Sequence, residues 1–340
     1  MRIVVDVMGG DHGCGVVIEG VKLALDPSLK LNLERVYLVG DQAQIAPELS
    51  RLQVTDERIE VVHASEVLTM EDKPVEGLRR KKDSSVARGM DLVKEGKAAA
   101  FLSPGNTGGV VAASTIKLRC LPGVERPGIA TVIPAPENEF VLLDAGANIE
   151  CRPIHLAQYA IMGSVYSREV LGYKKPRVGI LSVGTEDIKG NELTLEAFKL
   201  CKKLDLNFIG NVEGHDLFAN RVDVVVCDGF TGNIVLKTCE SLAKAVFKWL
   251  KVELTRTPVR KLGAMLARGA FVTIKERTDA DAYGGAPLLG LNGNVTIAHG
   301  SAKQKAIKNA IRMTASAVQH QVNEAITREI EKAALVLNQP

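Results

Sequence analysis

A chain of 340 residues with 46% hydrophobic and only 4% aromatic side chains builds its core from Val, Ile, Leu and Ala, with length enough for one large α/β domain or two smaller ones. A net charge of +3 makes no electrostatic case for nucleic acid, and no apolar run nears the roughly 20 residues of a membrane span. Six cysteines, at 14, 120, 151, 201, 227 and 239, show no C-x-x-C spacing. That argues for reduced thiols in a cytoplasmic protein and against a zinc site or redox pair. The opening MRIVVDVMGGDHG also meets Asp6 too early for a secretory leader.

In chain order, short β-branched runs predict strands at 2–7, 35–40, 58–63, 98–103, 128–133, 140–145, 177–183, 206–211 and 223–228. Most lack polar alternation, as expected of strands buried on both faces. Between them the patterns predict helices over 84–96, 107–119, 153–171, 191–203 and 231–251, and one long helix from about 301 to 336. This alternation predicts a three-layer α/β/α sandwich around a mostly parallel sheet. No repeat or linker breaks the chain, so 1–340 is expected to form a single domain with a helical arm at about 252–282.

Five of the nine predicted strands end in a glycine-rich turn. FLSPGNTGGVV (101–111) places Pro, Asn, Thr and three glycines between a strand ending on Ser103 and a helix starting near Thr107. Similar turns are MGGDHG (8–13), DAGAN (144–148), GTEDIKGN (184–191), DGFTGN (228–233), YGGAP (283–287) and AHGSAK (298–303). Glycine lets backbone approach a ligand closely, and free N–H groups at helix starts favour anions. In a doubly wound sheet such turns share one edge, so all are expected at a single large site. The candidate phosphate or substrate contacts are Gly9, Gly10 and Asp11, then Ser103, Gly105, Asn106, Thr107 and Gly108, then Asn148. Gly184, Glu186, Gly190, Asn191, Thr231, Gly232, Gly284, Gly285 and His299 complete the set. Any one such turn is explicable by helix capping alone. Neither a G-x-x-x-x-G-K-[ST] loop nor a G-x-G-x-x-G loop after the first strand is present.

In this order the motifs resemble the bacterial phosphate acyltransferase family of phospholipid synthesis. The resemblance spans nearly the whole chain and rests on VDVMGGDHG, SPGNTGG, LLDAGAN, GTEDIKGN, EGHDLF (213–218), DGFTGN, YGGAPLLGLNG and AHGSA. Two positions depart from the family pattern: Pro104 replaces a small residue, and Gly13-Cys14 replaces an Ala-Pro helix start. The resemblance implies transfer of a fatty acyl group from an acyl-carrier-protein thioester to inorganic phosphate, giving acyl phosphate. It also implies a fold related to isopropylmalate dehydrogenases and phosphotransacetylases, a homodimer, and no cofactor or metal.

The residues suit that chemistry. A thiolate leaves readily, since its parent thiol titrates near 8.5, and phosphate is already an anionic nucleophile. Positioning and oxyanion stabilisation are what remain to be supplied. No G-x-S-x-G elbow and no nucleophile–base pair is evident, which fits direct attack by phosphate. Lys189 is the first catalytic candidate, as a cation between glycines. Asn233 is the second, as a donor in a capping turn, and His12 the third, to protonate sulfur or orient phosphate. Glu186 is expected to hold Lys189.

TPVRKLGAMLARG (257–269) reads as a basic amphipathic helix. Val259, Leu262, Met265 and Leu266 lie on one side, with Arg260, Lys261 and Arg268 opposite, ahead of an apolar tip at Ala270-Phe271-Val272. It is a candidate surface for the inner face of the cell membrane, for the acidic carrier protein, or for a dimer contact. Rival functions are an acyl-CoA-using phosphotransacetylase, an NAD-dependent dehydrogenase and a non-catalytic scaffold of lipid synthesis at the membrane.

Overall fold

A computed structural model describes residues 1–278 and 284–337. Eleven strands form one sheet: β1 (Arg2–Asp6), β2 (Arg35–Gly40), β3 (Ile59–His63), β4 (Ala100–Ser103), β5 (Gly128–Pro134), β6 (Glu139–Leu143), β7 (Val178–Leu181), β8 (Phe208–Val212), β9 (Val224–Val226), β10 (Ala286–Leu289) and β11 (Asn294–Ile297). Their order is β3-β2-β1-β4-β11-β10-β5-β6-β9-β7-β8. The lack of alternation in the strand sequences has the expected cause. In β1, Ile3 and Val5 pack into one apolar cluster and Val4 into another across the sheet.

Helices cover both faces. They are α1 (Cys14–Ala24), α2 (Gln42–Arg51), α3 (Pro74–Arg80), α4 (Ser85–Lys94), α5 (Thr107–Lys117), α6 (Pro153–Glu169), α7 (Glu192–Lys203), α8 (Gly229–Leu254), α9 (Pro258–Leu266), α10 (Arg268–Arg277), α11 (Gln304–Gln319) and α12 (Val322–Leu337). Against β1, β2 and β4, α1 and α11 lie on one face, while α4 and α5 pack from the other. In the second half α6, α7 and α12 cover one face. The three-layer α/β/α sandwich expected from the sequence is therefore present.

Four departures matter. The terminal helix is two: α11 stops at His320, and Gln321, at φ 51°, turns the chain before α12. The arm starts earlier than residue 252, because only Gly229 and Gly232 of the 26 residues in α8 are buried. Ala270-Phe271-Val272 is no tip but lies inside α10, with Phe271 partly buried. The expected arm residues 279–282 and Tyr283 of the YGGAP turn fall outside the described residues.

The largest departure concerns strand direction. β1 to β4 and β11 run together, β10 reverses, β5 reverses again, and β6 is antiparallel to β5. β9, β7 and β8 follow β6. The strands of the second half thus run opposite to those of the first. The glycine turns do not share one rim. Those after β1, β4 and β11 lie on one edge of the sheet, and those after β6, β7 and β9 lie on the other.

On the second edge α8 begins directly against the turn after β6. A Cβ on Gly232 would lie 1.9 Å from the Asp144 carbonyl oxygen, an approach only glycine allows. Gly232→Ala should cost about 3 kcal/mol or more in urea unfolding, as forced overpacking against rigid backbone does. A cost under about 0.5 kcal/mol would show that α8 does not dock this way.

Candidate active site

The first edge is organised by a buried carboxylate. Asp6 ends β1, accepts a hydrogen bond from the Met8 amide (3.0 Å) and one from the Ser103 hydroxyl (2.7 Å), and is pushed above the usual carboxylate range by burial. Ser103 in turn accepts from the Gly105 amide at 3.0 Å. The turns after β1 and β4 meet at Gly9 and Gly105, where a Cβ on Gly9 would lie 2.5 Å from the Gly105 Cα. The third turn joins through the Asp11 amide, which donates to the Gly300 carbonyl at 2.8 Å. Gly10 lies over the Pro104 ring and the Gly300 carbonyl.

Asn106 caps α5 through the Gly109 amide, and its Nδ2 donates to the Thr69 and Asp72 carbonyls. Ser103 and Asn106 are therefore committed to the scaffold rather than to a ligand. What faces solvent is Thr107 at the first position of α5, with its neighbour Gly108 partly exposed. A helix start leaves its first amides unpartnered, and Asn106 takes only the third, at Gly109. Asp11 and His12 are exposed beside them. His299 closes its own turn, with Nδ1 accepting from the Ser301 amide (3.3 Å) and 2.8 Å from the Ser301 hydroxyl. Gly284 and Gly285 pack beneath α11 at Ala310 and are structural.

The second edge repeats the device. Asp144 follows β6 and is buried. Its Oδ1 accepts from the Ile129, Gly146 and Ala147 amides, and its Oδ2 from the Asn148 amide and side chain. Burial outweighs these bonds and raises its titration point. Asn148, expected at a ligand, is instead locked inside, donating also to the Pro127 carbonyl (2.6 Å) and the Tyr159 hydroxyl (2.9 Å). Thr231 is likewise committed: its amide and hydroxyl both donate to Asp228, the cap of α8. Asn233 stays exposed, its side chain lying over Gly146.

Lys189 is brought to the same edge by the loop after β7. Ser182 and Asn211 hold that loop, the Asn211 Nδ2 donating to the Glu186 and Lys189 carbonyls at 2.9 and 3.2 Å. Gly184 makes room between the side chains of Glu186 and Lys189; a Cβ there would sit 2.8 Å from each. The expected Glu186–Lys189 ion pair is not formed, and Lys189 is exposed with no ion pair among the described residues. Gly190, at φ 131°, packs against the Thr194 hydroxyl, and Asn191 caps α7.

Sequence reasoning missed Asp6 and Asn211, while Asp144 caps its own turn as a carboxylate at that position is expected to; together they hold both edges in shape. Asn211 had one usable signal, a polar side chain in an otherwise apolar strand, and its Oδ1 is buried without a partner. The edges offer different chemistry. One has helix-start amides, a hydroxyl and an imidazole; the other has an ammonium and a carboxamide. No group of three or more His, Cys, Asp or Glu among the described residues is placed to hold a metal ion.

Comparison with known proteins adds the family. Residues 1–325 match the family described as "Fatty acid synthesis protein". The chain is 45% identical to the phosphate acyltransferase of Pelotomaculum thermopropionicum, over 97% of this chain and 95% of that protein. It is 45% identical to the phosphate acyltransferase of Akkermansia muciniphila, over 99% and 97%. A solved phosphotransacetylase from Streptococcus pyogenes shares the fold, with a TM-score of 0.65 and 17% identity over 94% of each chain. The glycine-turned sheet and these whole-length matches place the chain in the fatty acid synthesis protein family.

Proposed function

We propose that the protein is a phosphate acyltransferase that moves a fatty acyl group from an acyl-carrier-protein thioester to inorganic phosphate. What carries this reading is the match across nearly the full chain to relatives of that name. The phosphate oxygen attacks the thioester carbonyl, a C–O bond forms, and the tetrahedral oxyanion collapses with expulsion of the carrier thiolate. Acyl phosphate and free carrier protein result. The Thr107 helix start suits the phosphate anion. Lys189 and Asn233 suit the oxyanion or the phosphate charge, where one donor is typically worth about 2.7–4 kcal/mol. His12 is suited to protonating the departing sulfur.

The cysteines support direct attack. Burial pushes all six thiols up, Cys151 to about 11 and Cys201 to about 12. A thiol held above its ordinary range carries less thiolate at neutral pH, which disfavours an acyl–cysteine intermediate.

The arm suits a peripheral contact with the inner face of the cell membrane. Val259, Leu262, Met265 and Leu266 are 80%, 55%, 64% and 80% exposed on α9, with Arg260, Lys261 and Arg268 also solvent-facing. No helix among the described residues is long and apolar enough to cross a membrane. The enzyme acts as a homodimer in this reading.

Lys189→Ala and Asn233→Ala should each lower turnover with acyl-carrier protein and phosphate about tenfold or more, with unchanged thermal unfolding. Wild-type rates in both would remove them from the site. Carrier-protein thioester should be used in preference to the matching CoA thioester; the reverse preference makes the protein a phosphotransacetylase, and binding without turnover makes it a scaffold. In flotation with vesicles containing anionic lipid, Leu266→Glu should weaken recruitment about tenfold, and equal partitioning of both proteins would exclude α9 as the anchor.

A further inference from the structure

Asn211 is a polar side chain in the interior of β8, with 2% of its surface exposed. Its Oδ1 is buried without a partner, a cost that an apolar side chain in the same place would avoid. Its amide, by contrast, is fully used. A carboxamide nitrogen has two protons to donate, and both go to the loop after β7. They reach the carbonyls of Glu186 at 2.9 Å and Lys189 at 3.2 Å. The Ser182 hydroxyl also donates to the Lys189 carbonyl at 3.2 Å, and the Lys189 amide closes the turn on the Glu186 carbonyl at 3.0 Å.

The strand itself is broken so as to aim this side chain. Val178 of β7 pairs with Phe208, but Gly179 pairs with Gly210, so Ile209 is an extra residue in β8. Gly210 takes φ 93°, a conformation that favours glycine. Ile209 and Val212, three residues apart, consequently pack into one apolar cluster, which unbroken alternation would forbid. An extra residue turns every later side chain to the opposite face, and here it turns Asn211 onto the loop. Bulges of this kind re-aim side chains and are enriched beside active sites.

The loop so held keeps two opposite charges apart. Glu186 and Lys189 share one turn, and a Cβ on Gly184 would lie 2.8 Å from the side chain of each. Opposite charges on so tight a turn attract, yet Lys189 forms no ion pair among the described residues. The neighbouring Asp187 is engaged elsewhere, by Lys202 at 2.6 Å. With the Glu186 and Lys189 carbonyls both pinned inward, the turn does not rotate to bring the ammonium onto the Glu186 carboxylate. We infer that Asn211 is a positioning residue for Lys189, fixing the loop so that the ammonium stands free for the negative charge that develops in acyl transfer. The inference rests on the acyl-transfer reading above and adds to it the group that keeps Lys189 available.

Asn211→Ala removes both donors and leaves Lys189 in the chain. Its kcat with acyl-carrier protein and phosphate should fall about tenfold or more, with KM for the thioester within about twofold of wild type, as when an interaction made in the transition state is lost. In a Lys189→Ala background the same substitution should change kcat by less than about twofold, because the group it positions is already gone. Should Asn211→Ala fail to fold, Asn211→Ser, which keeps one donor in the strand, takes its place; its smaller loss must likewise vanish in the Lys189→Ala background. Wild-type kcat in Asn211→Ala, or a loss that multiplies in full onto that of Lys189→Ala, overturns the positioning role and leaves the acyl-transfer reading standing. Wild-type kcat in Lys189→Ala does the same. Wild type without turnover on any acyl thioester sinks the acyl-transfer reading, and the positioning role with it.

Discussion

Strand direction governs everything else in this molecule. Because β10 and β5 each reverse the chain relative to their neighbours, the second half of the sheet runs opposite to the first. Each half then builds the same object at the C-terminal end of its strands. A buried carboxylate, Asp6 or Asp144, gathers the amides of the following turn, and a glycine-lined helix start packs against it. Burying an ionisable group is costly, and in both places hydrogen bonds offset part of that cost. The result is rigidity in the turns that carry the candidate groups, whose donors are held in place in advance.

Much of this was legible in the sequence. The strands of the core read correctly because burial on both faces removes polar alternation, as in Ile3-Val4-Val5. Helix starts read correctly where a cap announces them, as Asn106 does for α5 and Asn191 for α7. Short APLL and NVTI were not recognised as β10 and β11, being four residues each and embedded among glycines. The direction of the second half was overlooked although a signal existed. Only residues 135–138 separate β5 from β6, and a parallel crossover needs a dozen or more. The break between α11 and α12 had no such signal, because Gln321 takes a left-handed conformation without glycine or proline nearby.

The site was legible as a set of motifs and less so as a set of roles. Polar residues in glycine turns look alike in a sequence, whether they face inward or outward. Ser103, Asn106, Asn148 and Thr231 face inward and hold the turns; Thr107, Lys189 and Asn233 face outward. The distinction depends on which side chain reaches an orphan amide first, and no spacing rule fixes that. The outward groups are the ones suited to phosphate and an oxyanion. The arm is rooted beside Asn233 and carries the basic amphipathic helix α9 away from the sheet.

The central chemical claim is that phosphate attacks the thioester directly, without an acyl-enzyme. Rapid quenching of the dimer with radiolabelled acyl-carrier protein in the absence of phosphate tests it. The account predicts no acyl label on the protein, and label appearing in acyl phosphate only once phosphate is added. Stoichiometric label on a side chain before phosphate is added, passed on to phosphate afterwards, would contradict it.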